Sequence, residues 1–323
     1  MDQIGDQAGP IPAEEEGRAP NHEPVRLVAP ARLPVGAGRL PLFLSRGWAA
    51  AQPDIERAVI LLHGRRRDAD TYRQILQRAA LAAGAAAARS LLIVPQFLAG
   101  TDARHHGLPD SVLRWSLEGW MGGDPAEGPV PASSFAALDA ILARLADRTL
   151  FPALRRIVVA GHSGGAQVAQ RYAVIGQGGV QLEAEGLALR YVVANPSSYA
   201  YFSAERPYPV EACPDFDRWK YGMTDLPSYA GAASAAALEA AYVRREVIYL
   251  WGGDDSDAEQ PALDRSCAAA AQGPHRLARG QAYFAYLKSR HPDLAHRAAI
   301  VPGVGHDGDG MFRSAAGLAA LFG

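Results

Sequence analysis

Ser163 stands in the string Gly161-His162-Ser163-Gly164-Gly165, which fits the pattern Gly-x-Ser-x-Gly. A serine hydroxyl becomes a useful nucleophile only when a base takes its proton. Glycines two residues before and two after let neighbouring backbone pass close in a sharp turn, which lifts the hydroxyl above a sheet edge. The string follows the β-branched run Arg156 to Ala160 and opens a stretch of helical character. A helix N-terminus behind the serine adds a positive end near any developing negative charge. The plainer alternative is a tight strand-to-helix turn with an idle serine.

Nine histidines compete for the role of base. His22 lies in the N-terminal stretch, His162 adjoins the serine, and His105 and His106 fall in a long loop. His275 lies between two segments of expected surface helix, and His291 and His296 occupy a polar stretch before the last strand. His306 follows a strand in a glycine-rich loop, where open parallel sheets carry their sites, and is the candidate base. An imidazole in that role needs a carboxylate to orient it and to stabilise its charged form. Asp254, Asp255 and Asp257 follow the apolar run Val247 to Trp251. Asp255 is the first choice, Asp254 the second and Asp257 the third; the two acids left over are solvated or cap a helix. Two backbone N–H groups are candidates to hold an oxyanion: that of Gly164, after the serine, and that of Arg65, after His63-Gly64. Arg66 and Arg67 could attract an anionic substrate, although a solvated helix start paired with Asp68 is the simpler reading.

The elements that must position these residues are legible as short apolar runs. Ala58 to Leu62, Leu91 to Val94, Arg156 to Ala160, Tyr191 to Ala194, Val247 to Trp251 and Ala299 to Val301 suit strands, several of them buried on both faces. Arg39 to Leu44 carries a proline and reads as an edge strand. Helices are expected over about Ala69 to Ala83, over Phe135 to Leu145 behind a Ser133 or Ser134 cap, after the string Gly161 to Gly165 through about Tyr172, and over Phe312 to Phe322. Strands alternating with helices predict an α/β fold with a mostly parallel sheet flanked by helices. Residues 196 to about 245 form an insertion dense in aromatics, from Tyr199, Tyr201 and Phe202 to Trp219 and Tyr229. Residues 1–24 are rich in Pro, Glu and Gly and are expected to be a loose tail, leaving 25–323 as one domain.

The chain of 323 residues has 32 basic and 34 acidic side chains, a net charge of -2. No basic excess exists to neutralise phosphates, so a nucleic-acid partner is not expected. No run of about 18 apolar residues is present, so no membrane span is expected. The N-terminus has no basic region followed by an apolar run, which points to the cytoplasm. Cys213 and Cys267 cannot make a zinc site by themselves; two unpaired buried thiols are expected ahead of one disulfide.

Four strings taken together resemble the α/β-hydrolase superfamily: LLHG at 61–64, GHSGG at 161–165, GGDD at 252–255 and GVGHD at 303–307. They run in the superfamily's order over residues 39–323. NPSSY at 195–199, RWKYG at 218–222 and QGPHRLARG at 272–280 look like segments of a hydrolase subgroup that brings no substrate with it. The resemblance implies an acyl-enzyme mechanism in which Ser163 attacks a carbonyl and His306 takes its proton. The Gly164 and Arg65 N–H groups then hold the oxyanion, with no metal or organic cofactor. It also implies that the insertion at 196–245 is a cap, whose aromatics line a pocket or form the cap's own core, with most of them structural. The expected activity is cleavage of a small-molecule carboxylic ester, with a lean toward short acyl chains because the insertion is compact. An amidase or peptidase with the same residues is the alternative within enzymes. A non-catalytic ligand-binding protein on the same fold is the alternative outside them.

Overall fold

The computed structural model describes residues 21–323. Residues 1–20 of the expected tail lie outside the described residues. From Asn21 onward the chain is held: Arg67 donates to the carbonyls of Asn21 and Glu23, and Asp102 accepts from the Val25 N–H.

Eight strands form the main sheet: β1 (Ala31–Val35), β2 (Gly38–Leu44), β3 (Arg57–Leu62), β4 (Ser90–Pro95), β5 (Arg156–His162), β6 (Ala188–Ala194), β7 (Glu246–Gly252) and β8 (Arg297–Val301). Their order is β1-β2-β4-β3-β5-β6-β7-β8. β1 pairs with β2, and β2 with β4, antiparallel; every other pairing in this sheet is parallel. The helices of eight residues or more are α1 (Ala69–Ala83), α2 (Ser134–Leu145), α3 (Gly164–Ile175), α4 (Ala235–Tyr242), α5 (Arg276–Arg290) and α6 (Ala315–Phe322).

The central strands are apolar throughout because both faces are covered. In β3, Ala58, Ile60 and Leu62 enter one core layer while Val59 and Leu61 enter the other. β5 alternates in the same way, with Ile157 and Val159 on one side and Val158 and Ala160 on the other. Each fully buried Val, Leu or Ile is worth about 1.5–3 kcal/mol of removed apolar surface. The second layer is closed by α1 through Tyr72, Ile75, Leu76 and Ala79, together with Met311, Phe312 and Leu321. The first is closed by Phe135, Leu138, Ile141, Leu142 and Leu145 of α2 and by the buried α3.

Register places the loops. Leu62 lies opposite Gly161, His162 opposite Ala194, Ala194 opposite Leu250, and Val301 opposite Gly252. The carboxyl ends of five strands therefore finish level. The loops that begin at His63, Ser163, Asn195, Gly253 and Pro302 leave the sheet side by side.

Several expectations change. β1 was not anticipated. The expected helix Phe312 to Phe322 is two helices, because Ser314 takes an extended backbone conformation and caps α6 by accepting the Gly317 N–H. The segment around His275 is not surface helix: His275 caps α5, and Arg276, Arg279, Tyr283 and Leu287 of that helix are buried. Arg67 is neither solvated nor paired with Asp68. It is fully buried and meets Asp102 at 2.6 Å. The cysteines are joined as Cys213–Cys267, tying the insertion to the segment before α5; no free thiol remains among the described residues.

The aromatics of the insertion mostly build core. Tyr199 stacks on Tyr283 at 4.5 Å, and Tyr201, Phe202 and Tyr242 belong to the same buried cluster. Arg206 lies over the Tyr201 ring at 4.5 Å and over Phe216 at 5.1 Å.

Candidate active site

The turn after β5 is built by its glycines. Ser163 has φ +59°, a region that side chains rarely adopt and that costs on the order of 1–3 kcal/mol. Its N–H is tied to the Ala194 carbonyl at 3.0 Å. A Cβ on Gly161 would stand 2.1 Å from the Gly165 carbonyl oxygen, and one on Gly165 would stand 2.2 Å from the Leu62 carbonyl oxygen. Only glycine allows β5, α3 and the end of β3 to approach so closely.

The loops after β7 and β8 are stitched together. Gly253 N–H donates to the Val301 carbonyl, and Asp254 N–H to that of Val304. Asp255 N–H turns back onto the Gly252 carbonyl at 3.1 Å. This brings Asp255 and His306 into contact across 51 residues of sequence. His306 Nδ1 is 2.8 Å from Asp255 Oδ2, and His306 Nε2 is 2.9 Å from Ser163 Oγ. A carboxylate only accepts, so Nδ1 carries the proton and Nε2 is free to accept from the serine hydroxyl. Asp254 and Asp257 are exposed; neither takes the place of Asp255 beside His306.

Asp255 is buried, and burial alone would raise its pKa. The hydrogen bond and charge of His306, with the charge of Arg276, outweigh that and hold the carboxyl below its ordinary range. It is therefore ionised at neutral pH. His162 is fully buried, and its ring centroid lies 4.6 Å from that of His306. Desolvation, with the nearby charges of His306 and Arg276, drives its pKa well below the ordinary value, so His162 is neutral.

The backbones of Gly164 and Arg65 lie close together. A Cβ on Gly164 would stand 2.9 Å from the Arg65 backbone nitrogen. His63 holds this loop. Its Nε2 accepts from the Phe97 N–H at 2.9 Å, so its Nδ1 donates to the Gly64 carbonyl at 2.9 Å. Burial lowers its pKa to about 4, which keeps that tautomer neutral. The Arg65 side chain reaches Glu118 at 3.5 Å. From Glu118 a groove of about 520 Å³ opens, lined by Ala99, Arg104, Trp115, Leu117 and Glu127 among others. Its lining comes from residue 22 and residues 99–127, not from the aromatic-rich insertion. The RWKYG segment of the insertion instead docks on the loop before α2. Trp219 donates to the Gly122 carbonyl, and buried Arg171 joins the carbonyls of Lys220 and Met121.

Sequence reasoning missed Asn195, His63 and Arg276. Asn195 and Arg276 each had a signal in a string whose role was left open, NPSSY and QGPHRLARG; His63 lies in LLHG, which was read only for the Arg65 N–H that follows it. Among the described residues, no group of three or more His, Cys, Asp or Glu could hold a metal ion. No helix among them is long and apolar enough to cross a membrane.

No family model and no curated protein sequence matches the chain. Solved structures do. LpqC, a poly(3-hydroxybutyrate) depolymerase from Bordetella parapertussis, superposes with a TM-score of 0.62 at 21% identity, over 92% of this chain and 90% of that one. Poly(aspartic acid) hydrolase-1 from Sphingomonas sp. KT-1 superposes with a TM-score of 0.59 at 22% identity, over 86% of this chain and 97% of that one. With the strand order and the level strand ends, this likeness shows that the chain has the α/β-hydrolase fold.

Proposed function

We propose that the chain is a serine hydrolase that cleaves a carboxylic ester through an acyl-enzyme. The observation that carries the reading is the continuous relay from Asp255 through His306 to Ser163, at 2.8 and 2.9 Å. Ser163 Oγ attacks the carbonyl carbon while its proton passes to His306 Nε2. The oxyanion that forms takes the Gly164 and Arg65 N–H groups. Collapse breaks the ester C–O bond, and His306 returns the proton to the departing alcohol. Water, deprotonated by the same imidazole, then attacks the acyl-enzyme and releases the acid. Asp255 stays ionised throughout, holding Nδ1–H and balancing the imidazolium.

The names of the two proteins that share the fold, a depolymerase and a hydrolase, are in keeping with this reading. One of them is a poly(aspartic acid) hydrolase, so amides are the second substrate class. The Cys213–Cys267 bond favours an oxidising compartment as the place of action, against the cytoplasmic expectation.

The test is reaction with a fluorophosphonate, followed by mass spectrometry of the adduct, beside a panel of esters and amides. A stoichiometric adduct on Ser163, abolished in His306→Ala, is the expected result. Ser163→Ala should lose at least about a thousandfold in turnover. An unreactive Ser163 in folded protein would instead favour a ligand-binding role for the same fold.

A further inference from the structure

Behind Asp255 stands a second charge. Arg276, the first residue of α5, is fully buried, and its guanidinium Nη1 lies 3.2 Å from Asp255 Oδ1, the oxygen that His306 does not use. The same guanidinium donates through Nε to Ser197 Oγ and through Nη2 to Gln260 Oε1, both at 3.0 Å. Ser197 belongs to the NPSSY string after β6. Its carbonyl accepts from Arg279 one turn further along α5. Two strings without a role in the sequence therefore meet behind the carboxylate that orients His306.

We infer that Arg276 is a positioning residue of this site: it fixes the Asp255 carboxylate and, by offsetting its charge, lowers the pH at which His306 becomes available as a base. The inference rests on the reading of Ser163 as the nucleophile. A carboxylate beside an imidazole favours the imidazolium and raises its pKa. A permanent cation on the far oxygen opposes that effect, because guanidinium keeps its charge across the working range. The buried location makes the opposition strong, since little water screens it. The charge reaches the neighbouring imidazole too, for Arg276 contributes to the lowered pKa of His162.

The other titratable and charged groups on the surrounding elements do not supply this effect. His162, from the end of β5, is neutral. The Tyr72 hydroxyl of α1 lies beyond it, and burial raises that phenol's pKa. Tyr199, from the insertion, accepts from Trp251 and is likewise pushed far up by burial, so it stays neutral. Arg65, on the β3 loop, is answered by Glu118. Asp254 is exposed on its loop, and Asp307 is turned onto the N–H groups of Asp309 and Gly310.

The test follows the rate of fluorophosphonate reaction at Ser163 against pH in three folded proteins: wild type, Arg276→Gln and Arg276→Lys. The expected result is an acidic midpoint about one pH unit higher in Arg276→Gln. At a pH below both midpoints, that variant would react about tenfold more slowly relative to its own plateau than wild type does. Arg276→Lys, which keeps the charge but not the three-way grip, should hold the wild-type midpoint with a lower plateau. A merely structural residue would lower the plateau in both variants and leave both midpoints in place, and that result overturns the inference. A wild type that never labels Ser163 overturns the serine-hydrolase reading and the inference with it. If Arg276→Gln does not fold, NMR titration of His306 in the wild type decides the question. A midpoint at or below the ordinary ~6.5 supports the offset, and one above about 7.5 overturns it.

Discussion

Asn195 is joined to Gly305, the residue before His306, by a 3.2 Å hydrogen bond from its side-chain amide to the Gly305 carbonyl. Its side-chain oxygen accepts the Gly252 N–H at 2.8 Å. One side chain thus ties the end of β6 to both loops that carry Asp255 and His306. Asn195 has φ +49°, so alanine there would confound lost bonds with backbone strain. Asn195→Gly removes the bonds and keeps the conformation. Activity should fall about 10–100-fold, chiefly in kcat, because a displaced base is misaligned for proton transfer. Steady-state kinetics on any ester the wild type turns over would check it, and an unchanged kcat would refute the role.

The serine turn makes a sharper structural prediction. In Gly165→Ala the new methyl would meet the Leu62 carbonyl oxygen at 2.2 Å, and both partners are held in regular structure, Gly165 in the first turn of α3 and Leu62 at the end of β3. Neither can rotate away, unlike a flexible side chain. Overpacking typically costs about 1–3 kcal/mol, and this case belongs at or beyond the upper end. Urea denaturation should show a loss of at least about 3 kcal/mol, or the protein should fail to accumulate folded. Gly47→Ala is the control: like Gly165 it has no positive φ, but nothing lies within 4 Å of its new methyl. A Gly165→Ala protein as stable as that control would count against the packing argument.

The sheet and the placement of the site were legible for a physical reason. Strands buried on both faces read as unbroken apolar runs, and glycine-rich strings mark where they stop. Ser163, Asp255 and His306 all stand within a few residues of such stops. Burial of charge left no comparable trace. Arg67, Arg171, Arg276 and Arg279 are buried, yet in sequence they look like surface cations. What lets them stay inside is a set of partners far along the chain, such as Asp102 for Arg67 and Ser198 for Arg171. For the same reason α5 looked like a surface helix. The disulfide was missed because pairing depends on Cα separation, here 5.6 Å, which spacing alone does not give.

Cys213–Cys267 closes a loop of 54 residues. Chain-entropy arguments assign a loop of that size about 4 kcal/mol of stability, through the states it removes from the unfolded chain. Reduction should therefore lower Tm, and Cys213→Ser/Cys267→Ser should match the reduced protein. Ser163 and His306 follow strands outside the 213–267 loop, and Asp255, inside it, directly follows β7 of the main sheet, so labelling of Ser163 at low temperature should persist after reduction. Calorimetry with and without reductant, beside the labelling assay, reads both. Equal melting of the two forms would mean that the bond adds nothing.

Acid should weaken the fold before the carboxylates titrate. His63 and His296 are buried as neutral imidazoles, and desolvation, the largest cause at each, lowers both pKa values from 6.5 to about 4. Between these limits the unfolded chain binds a proton at each site and the native chain does not. Stability therefore rises with pH across that window. It is complete above 6.5, is lost progressively toward pH 4, and does not change further from this cause below that. At pH 5 the loss is about 2 kcal/mol for each histidine, and it approaches about 3 kcal/mol at pH 4. Asp255 and Glu239 have lowered pKa values, so their contributions are lost only at lower pH. Urea midpoints measured from pH 7.5 to 4.5 should fall steadily, and His296→Gln should remove about a third of the slope, because His162 is a third imidazole that burial keeps neutral. A flat profile between pH 6.5 and 5 would show that these imidazoles take up protons in the folded state as readily as in the unfolded one.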